Sequence, residues 1–337
     1  MYSWDRRTPV RPDRSLQRMY SSALVLFKCL VGSEPVKWKP SSRLGVLVGL
    51  GAIAVVLLVD AGLTWRVVRG PLNGITFICA VLALLSLLPI AWVAYRVYNL
   101  WRLDYELDRN RLAIHTAAVQ QIIPLESIER VIYGRQDDVR VRRTYTSSMK
   151  SLTWPGCVIG QGTVQGIGLT LFYGVTPPSQ QAIVVTPTLA YGISPADMDT
   201  LVQVFHASRE LGPSVPVEQQ SVQAPFVRWR IWHDRAAHGV LLGSVVLCAL
   251  LFAMFCFRYP DLPALLPMHF DVLGRVDRIA PRSEVAVLPA IALMTWTVNG
   301  ILGAVWYRRE RMVSYLVWGG ALIVQLLFLL ALWSIVI

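Results

Sequence analysis

At 337 residues, with 54% hydrophobic and only 16% charged residues, the chain is too apolar for an ordinary soluble enzyme, and its apolar residues come in long blocks that point to lipid. The net charge of +11 sits beside those blocks and not on one compact basic face, which argues against nucleic acid as a partner. The five cysteines support no disulfide framework: Cys79, Cys248 and Cys256 fall inside apolar blocks, Cys29 in a short N-terminal apolar patch, and Cys157 alone in mid-chain, all readable as small apolar fillers.

Residues 1–43 form a basic segment with nine Lys or Arg against Asp5, Asp13 and Glu34. Its apolar patch, residues 24–31, is interrupted by Lys28, is too short to span, and lacks a small-residue cleavage site, so it makes a poor signal peptide. Crossing roughly 30 Å of hydrocarbon takes about 20 apolar residues in a helix, the form that satisfies its own backbone polar groups in lipid. Five stretches qualify: residues 44–63, 75–95, 239–257, 285–306 and 313–337. The first two make a hairpin (residues 44–98); the last three form a second group (residues 239–337) with a loop at 258–284. The excess of Lys and Arg predicts a cytoplasmic N-terminus. Counting spans from there places the inserted domain and the Arg308-Arg309-Glu310-Arg311 turn inside, and the 258–284 loop and the C-terminus outside. Only Arg66 and Arg69, in the first hairpin, oppose that orientation.

Between residues 99 and 216 the pattern changes to short β-rich runs separated by turns. Residues 103–107, a turn at Asp108-Arg109-Asn110 and residues 112–123 read as the first hairpin. Further strands fall at 128–133, 168–173 and 182–186, with Gly156, Gly160, Gly162, Gly166 and Gly168 as punctuation. Ser194-Pro195 predicts a helix start, followed by Met198, Leu201, Val202 and Phe205 at helical spacing. The segment Ile123-Pro124-Leu125-Glu126-Ser127-Ile128-Glu129-Arg130-Val131, with Trp154-Pro155-Gly156 and the approach to the helix from Tyr191 to Pro195, resembles bacterial PH-like domains. The resemblance implies an all-β barrel capped by a C-terminal helix, inserted in a membrane all-α protein with five transmembrane helices in a two-plus-three arrangement. Residues 217–238 are then a linker. Such a fold is a platform for a protein, peptide or lipid and does not itself give a function. Arg135, Arg140, Arg142, Arg143 and Lys150 read either as a contact for anionic headgroups or as a solvated loop, since Asp137 and Asp138 lie among them.

The most specific motif lies in the 258–284 loop. Pro260, Pro263 and Pro267 restrict its backbone, and Gly274 allows a tight turn. His269 adds a group that titrates near neutral pH, beside the carboxylates Asp271 and Asp277. Pro267, His269, Phe270, Gly274 and Asp277, with Asp271 where Asn is usual, resemble the signature of a bacterial membrane-protein family that includes the immunity and signalling protein of the sporulation-delaying toxin system. The resemblance implies an extracytoplasmic recognition loop in a non-enzymatic sensor or immunity protein. A purely structural turn, with His269 and Asp277 hydrogen-bonded across it, stays open. No second His stands near His269, so the set falls short of a metal site, and neither a catalytic set nor a cofactor is expected. Asn299 and Gln325 are polar groups within the last spans, expected to bond to each other or to a neighbouring helix, and Asp60 lies near a membrane end. The partners expected are the lipid bilayer and a protein or peptide at the PH-like domain and at the loop. The competing readings are a transporter or membrane enzyme with its site between the spans, and a scaffold for a membrane complex.

Overall fold

The computed structural model describes residues 35–133, 148–149, 152–270 and 275–336. The chain divides into two compact units, Met1–Ala54 with Ala91–Val227, and Val55–Ile90 with Arg228–Ile337. Among the described residues five helices are long and apolar enough to cross a membrane, which marks a multi-pass membrane protein. They are α1 (Arg43–Arg69), α2 (Gly74–Trp101), α4 (Arg235–Arg258), α5 (Val287–Trp306) and α6 (Arg311–Val336); α3 (Met198–Leu211) belongs to the domain between the two groups.

α1 overruns its expected end because no breaker interrupts it before Gly70-Pro71, α2 runs past its own to Trp101, and Asn73 caps α2 by accepting the Thr76 N–H at 3.0 Å. At 1.5 Å per residue each is about 40 Å long, more than the hydrocarbon core needs, so their ends reach the interface. The apolar side chains left uncovered along them, among them Leu58 and Leu88, form the surface that lipid covers.

The intervening domain is built from two sheets. The first runs in the order β1 (Val36–Trp38), β2 (Asp104–Leu107), β3 (Arg111–His115), β4 (Val119–Pro124) and β11 (Gln220–Gln223), antiparallel throughout. The second runs β5 (Arg130–Ile132), β9 (Ala182–Val185), β10 (Ala190–Ile193), β8 (Gly168–Gly174), β7 (Val158–Val164) and β6 (Ser148–Met149), with β10 and β8 its parallel pair. Leu107, Leu112 and Ile123 from the first sheet meet Val184 and Ile193 from the second, and Leu201 and Phe205 of α3 complete the core. Buried Tyr105 links the sheets: its hydroxyl donates to Tyr173 O and accepts the Ser194 N–H at 3.1 Å. Burial pushes this phenol far above its ordinary value, so it stays a neutral donor.

Several expectations change here. The barrel is not closed, because the free edge of β4 pairs with β11 and the chain turns through a short 3-10 helix at Leu125–Ser127 before β5 joins the other sheet. Thus β1 and β11, from segments expected to be an N-terminal tail and a linker, are sheet strands. The run 112–123 is two strands, since Thr116 closes a turn by donating its hydroxyl to Val119 O at 2.8 Å and accepting the Val119 N–H at 3.0 Å. Part of the glycine-rich punctuation is β7, in extended pairing with β8. The cap of α3 is Asp197, which accepts from the Thr200 N–H at 3.1 Å and its hydroxyl at 2.6 Å, while Ser194 Oγ accepts the Val175 N–H at 2.8 Å.

One contact joins the sheets to the helix ends. Arg96, near the end of α2, is only 8% exposed; its Nη1 donates to Ile159 O at 2.6 Å and its Nη2 to Leu152 O. The guanidinium also lies 5.4 Å from the Trp92 ring and 5.6 Å from the Trp154 ring. Trp154 Nε1 donates to Gly45 O at 2.9 Å, and Gly156, at φ +83°, brings its loop against α1 so closely that a Cβ on Gly45 would stand 2.0 Å from Gly156 O. The Gly45→Ala substitution is expected to destabilise the protein by about 1–3 kcal/mol through overpacking, whereas Gly51→Ala, which meets nothing, is expected to be neutral. Thermal unfolding in detergent, followed by tryptophan fluorescence, checks both.

Candidate functional site

The proline-rich connection between α4 and α5 folds into an antiparallel ribbon of β12 (Leu265–Phe270) and β13 (Val276–Pro281). Pro260 and a short 3-10 helix at Tyr259–Asp261 end α4, and a second at Arg282–Ala286 leads into α5. A two-stranded ribbon is marginal alone, so its base must be anchored. Leu262, Leu266 and Val285 are buried with Leu251, Phe255 and Leu332 of the helices. Arg282 adds three ties: its N–H donates to Ala264 O at 3.1 Å, its Nη1 to Leu262 O at 3.3 Å, and its guanidinium lies 4.9 Å from the Tyr259 ring. The exposed Arg278–Glu284 pair, at 2.8 Å, contributes little by comparison.

Alternation along the ribbon separates two faces. Leu266 pairs with Ala280 on the buried face, while Pro267 pairs with Ile279 on the other. Leu265, Val276 and Ile279 are 63%, 50% and 65% exposed. The register slips between Pro267 and His269 and again between His269 and Phe270, so His269 faces Arg278 in the ladder and Asp277 follows one position on. The ribbon therefore brings the backbone positions of His269 and Asp277 together. Asp271 and Gly274 lie outside the described residues, as do Arg135, Arg140, Arg142, Arg143 and Lys150.

The other ends of these helices are held by Asp234. It caps α4 by accepting the N–H groups of Ala236 and Ala237, each at 3.1 Å, and it accepts the hydroxyls of Tyr307 and Tyr315. The hydrogen bonds from Tyr307 and then Tyr315 hold its carboxyl well below the usual carboxylate range. Alongside, Trp318 stacks on Tyr307 with ring centroids 5.9 Å apart and fills the space beside Gly303, where a Cβ would stand 2.1 Å from the indole nitrogen. At the opposite end the start of α2 meets the end of α4, through Phe77 and Phe257 with centroids 6.2 Å apart.

Inside the helices, Gln325 is fully buried, but its Oε1 accepts from Ser244 Oγ at 2.7 Å and not from Asn299. Of the two partners open to Gln325, Asn299 or a neighbouring helix, it takes the second, through Ser244 of α4. Asp60 accepts from Ser86 Oγ at 2.6 Å, so its partner is the neighbouring helix. The Cys157 thiol is buried and pushed up by desolvation, as suits a filler.

With this geometry in view, the comparisons with known proteins are informative. Residues 103–208 match the family model described as a bacterial PH domain. Residues 246–293, from within α4 through the ribbon into α5, match a domain of unknown function (DUF1648). No curated protein and no solved structure matches the chain. The two-sheet domain from Leu103 to Ser208 of α3 is thus consistent with a PH-like domain, β1 and β11 lie outside the matched segment, and the ribbon lies inside the second one.

Arg96, Asp234 and Trp318 escaped the sequence reading. Arg96 falls one residue past the expected end of its span, and an arginine placed there with Trp92 one turn earlier is the available signal. The Asp234→Asn variant removes a group whose folded-state pKa is depressed. Its stabilising contribution is fully present above the unfolded value, near 4, and fades as pH falls through the folded one. The difference in melting temperature between wild type and Asp234→Asn is therefore expected to be constant from pH 7 to about 5 and to shrink below about 4, which a pH series of melts checks.

Proposed function

We propose that this is a non-enzymatic bacterial membrane protein in which the β12–β13 ribbon recognises an extracytoplasmic partner and the PH-like domain docks a protein, peptide or lipid in the cytoplasm. Signalling or toxin immunity is the concrete form. The observation that carries the reading is the ribbon itself: a β hairpin clamped at its base, with Leu265, Val276 and Ile279 exposed and, among the described residues, no third strand paired to either edge. Open edges with apolar side chains are a template for adding another strand. The motif residues Pro267, His269, Phe270 and Asp277 sit on the same ribbon, and their resemblance to the sporulation-delaying immunity family supports the immunity form.

The orientation rests on charge. Residues 1–43 hold nine basic residues and Arg308, Arg309 and Arg311 stand where α5 gives way to α6, whereas the ribbon segment balances Arg258, Arg275, Arg278 and Arg282 against Asp261, Asp271, Asp277 and Glu284. This puts the N-terminus and the PH-like domain inside, and the ribbon and C-terminus outside. The basic composition of Arg135, Arg140, Arg142, Arg143 and Lys150 suits contact with anionic headgroups on that side of the membrane.

In a cysteine-free background, a membrane-impermeant maleimide is expected to label Ile279→Cys in intact cells and Arg309→Cys only after permeabilisation. The reverse pattern contradicts the orientation. In a strain lacking the gene, the His269→Ala/Asp277→Ala and Ile279→Asp variants are expected to accumulate normally yet fail to restore the response of neighbouring genes, or the protection, that the intact chain restores. Full complementation by both overturns the recognition role.

A further inference from the structure

A cleft of about 430 Å³ opens on the PH-like domain where α2 ends and β2 begins. Its floor is the outer face of the first sheet, with Lys37 of β1, Asp104 and Glu106 of β2 and His115 of β3; its wall is Tyr98 and Arg102 at the end of α2. The placement follows from the pleat. Asp104 and Glu106 are two residues apart and share a face, Lys37 pairs with Glu106 across one ladder, and His115 pairs with Asp104 across the next.

The charges in the cleft are unequally satisfied. Glu106 has Lys37 Nζ at 3.2 Å, while His115 Nε2, 3.4 Å from the carboxylate, makes no hydrogen bond among the described residues. Asp104 has no ion-pair partner among the described residues, and its Oδ1 is buried without a hydrogen bond, at a cost only an incoming donor relieves. Arg102 has no carboxylate partner among the described residues either. Its guanidinium lies against the rings of Tyr98 and Trp101, at 5.8 and 5.6 Å, which leaves its N–H fork available. Opposite charges thus line one cavity without pairing to each other. A ligand that carries both signs, an ammonium for Asp104 and a phosphate for Arg102, satisfies both at once. The aromatic residues Tyr98 and Trp101 beside Arg102, at the end of an apolar span, are the composition of a membrane interface, where such ligands are lipid headgroups.

We propose that this cleft binds the headgroup of an aminophospholipid of the phosphatidylethanolamine type, with the primary ammonium donating to Asp104 and the phosphate accepting from Arg102. Selectivity over a choline headgroup follows, because trimethylation removes the N–H donors that Asp104 needs. The inference does not depend on the role proposed for the ribbon, and its test reads a different part of the molecule.

The full-length protein in mixed micelles of phosphatidylethanolamine and phosphatidylcholine, examined by native mass spectrometry, is expected to retain the ethanolamine lipid with about tenfold preference. Asp104→Asn is expected to abolish the preference, and Arg102→Gln to weaken retention of both lipids, while melting temperatures show that each variant is folded. Soluble glycerophosphoethanolamine serves as a separate arm. Its failure to displace the lipid at millimolar concentration supports the bilayer as the source, and displacement at micromolar concentration overturns the lipid assignment. Equal retention of both lipids by wild type, or an unchanged preference in folded Asp104→Asn, overturns the proposal.

Discussion

A single guanidinium near the end of a membrane helix fixes how the PH-like domain begins. Arg96 is almost fully buried, and a charge in that position is tolerable only because two backbone carbonyls and two indole rings receive it. Those carbonyls flank the turn that carries Trp154 and Gly156, Leu152 before it and Ile159 in β7 after it, and the same turn touches α1 at Gly45, where the absence of side chains on both partners lets the backbones meet. Hydrogen bonds to a charged donor contribute about 1.5–3 kcal/mol each, so the pair outweighs the exposed ion pairs elsewhere in the chain. With the loop fixed on the helix ends, the first sheet is held beside the end of α2, and the cleft that contains Asp104 and Arg102 acquires a rigid wall.

The second unit solves a similar problem by other means. Its helices are apolar on nearly every face, so burial against one another gives little direction, and polar clamps at their ends set the register. Asp234 gathers a helix N-terminus and two tyrosine hydroxyls, and Trp318 occupies the gap that Gly303 leaves. At the other end a hydrophobic base under Leu266 and Val285 holds the ribbon. The apolar face of the ribbon then stays uncovered because its anchoring does not use it.

Much of this organisation could be read from residue order. Length and hydropathy are enough to find a membrane helix, because lipid leaves the backbone no alternative, and the five spans emerged within a turn or two of their ends. The opening hairpin was legible through Asp108, whose carboxylate accepts the N–H groups of Asn110 and Arg111 in the turn. Contacts between distant segments were not legible. Val36–Trp38 looks like part of a basic tail until β2 supplies its ladder, and Gln220–Gln223 looks like a linker until it takes the open edge of β4. That edge pairing is also why the expected barrel stays open. The ribbon was hidden for a related reason: its prolines suggest an irregular loop, whereas in a two-stranded ribbon each strand has an outer edge on which a missing N–H costs nothing. At the candidate sites the residue types were visible, but which charges would find partners depended on strand register, so Asp104 and Arg102 carried no signal alone.

The central physical claim is that the PH-like domain and the adjoining ends of α1 and α2 form one rigid body through Arg96. Double electron–electron resonance between spin labels at Leu47 of α1 and Leu169 of β8, both exposed, measures it directly in a cysteine-free background. The account predicts one narrow distance distribution in the wild-type chain that broadens in Arg96→Ala; a broad distribution in wild type, or one unchanged by that substitution, contradicts it.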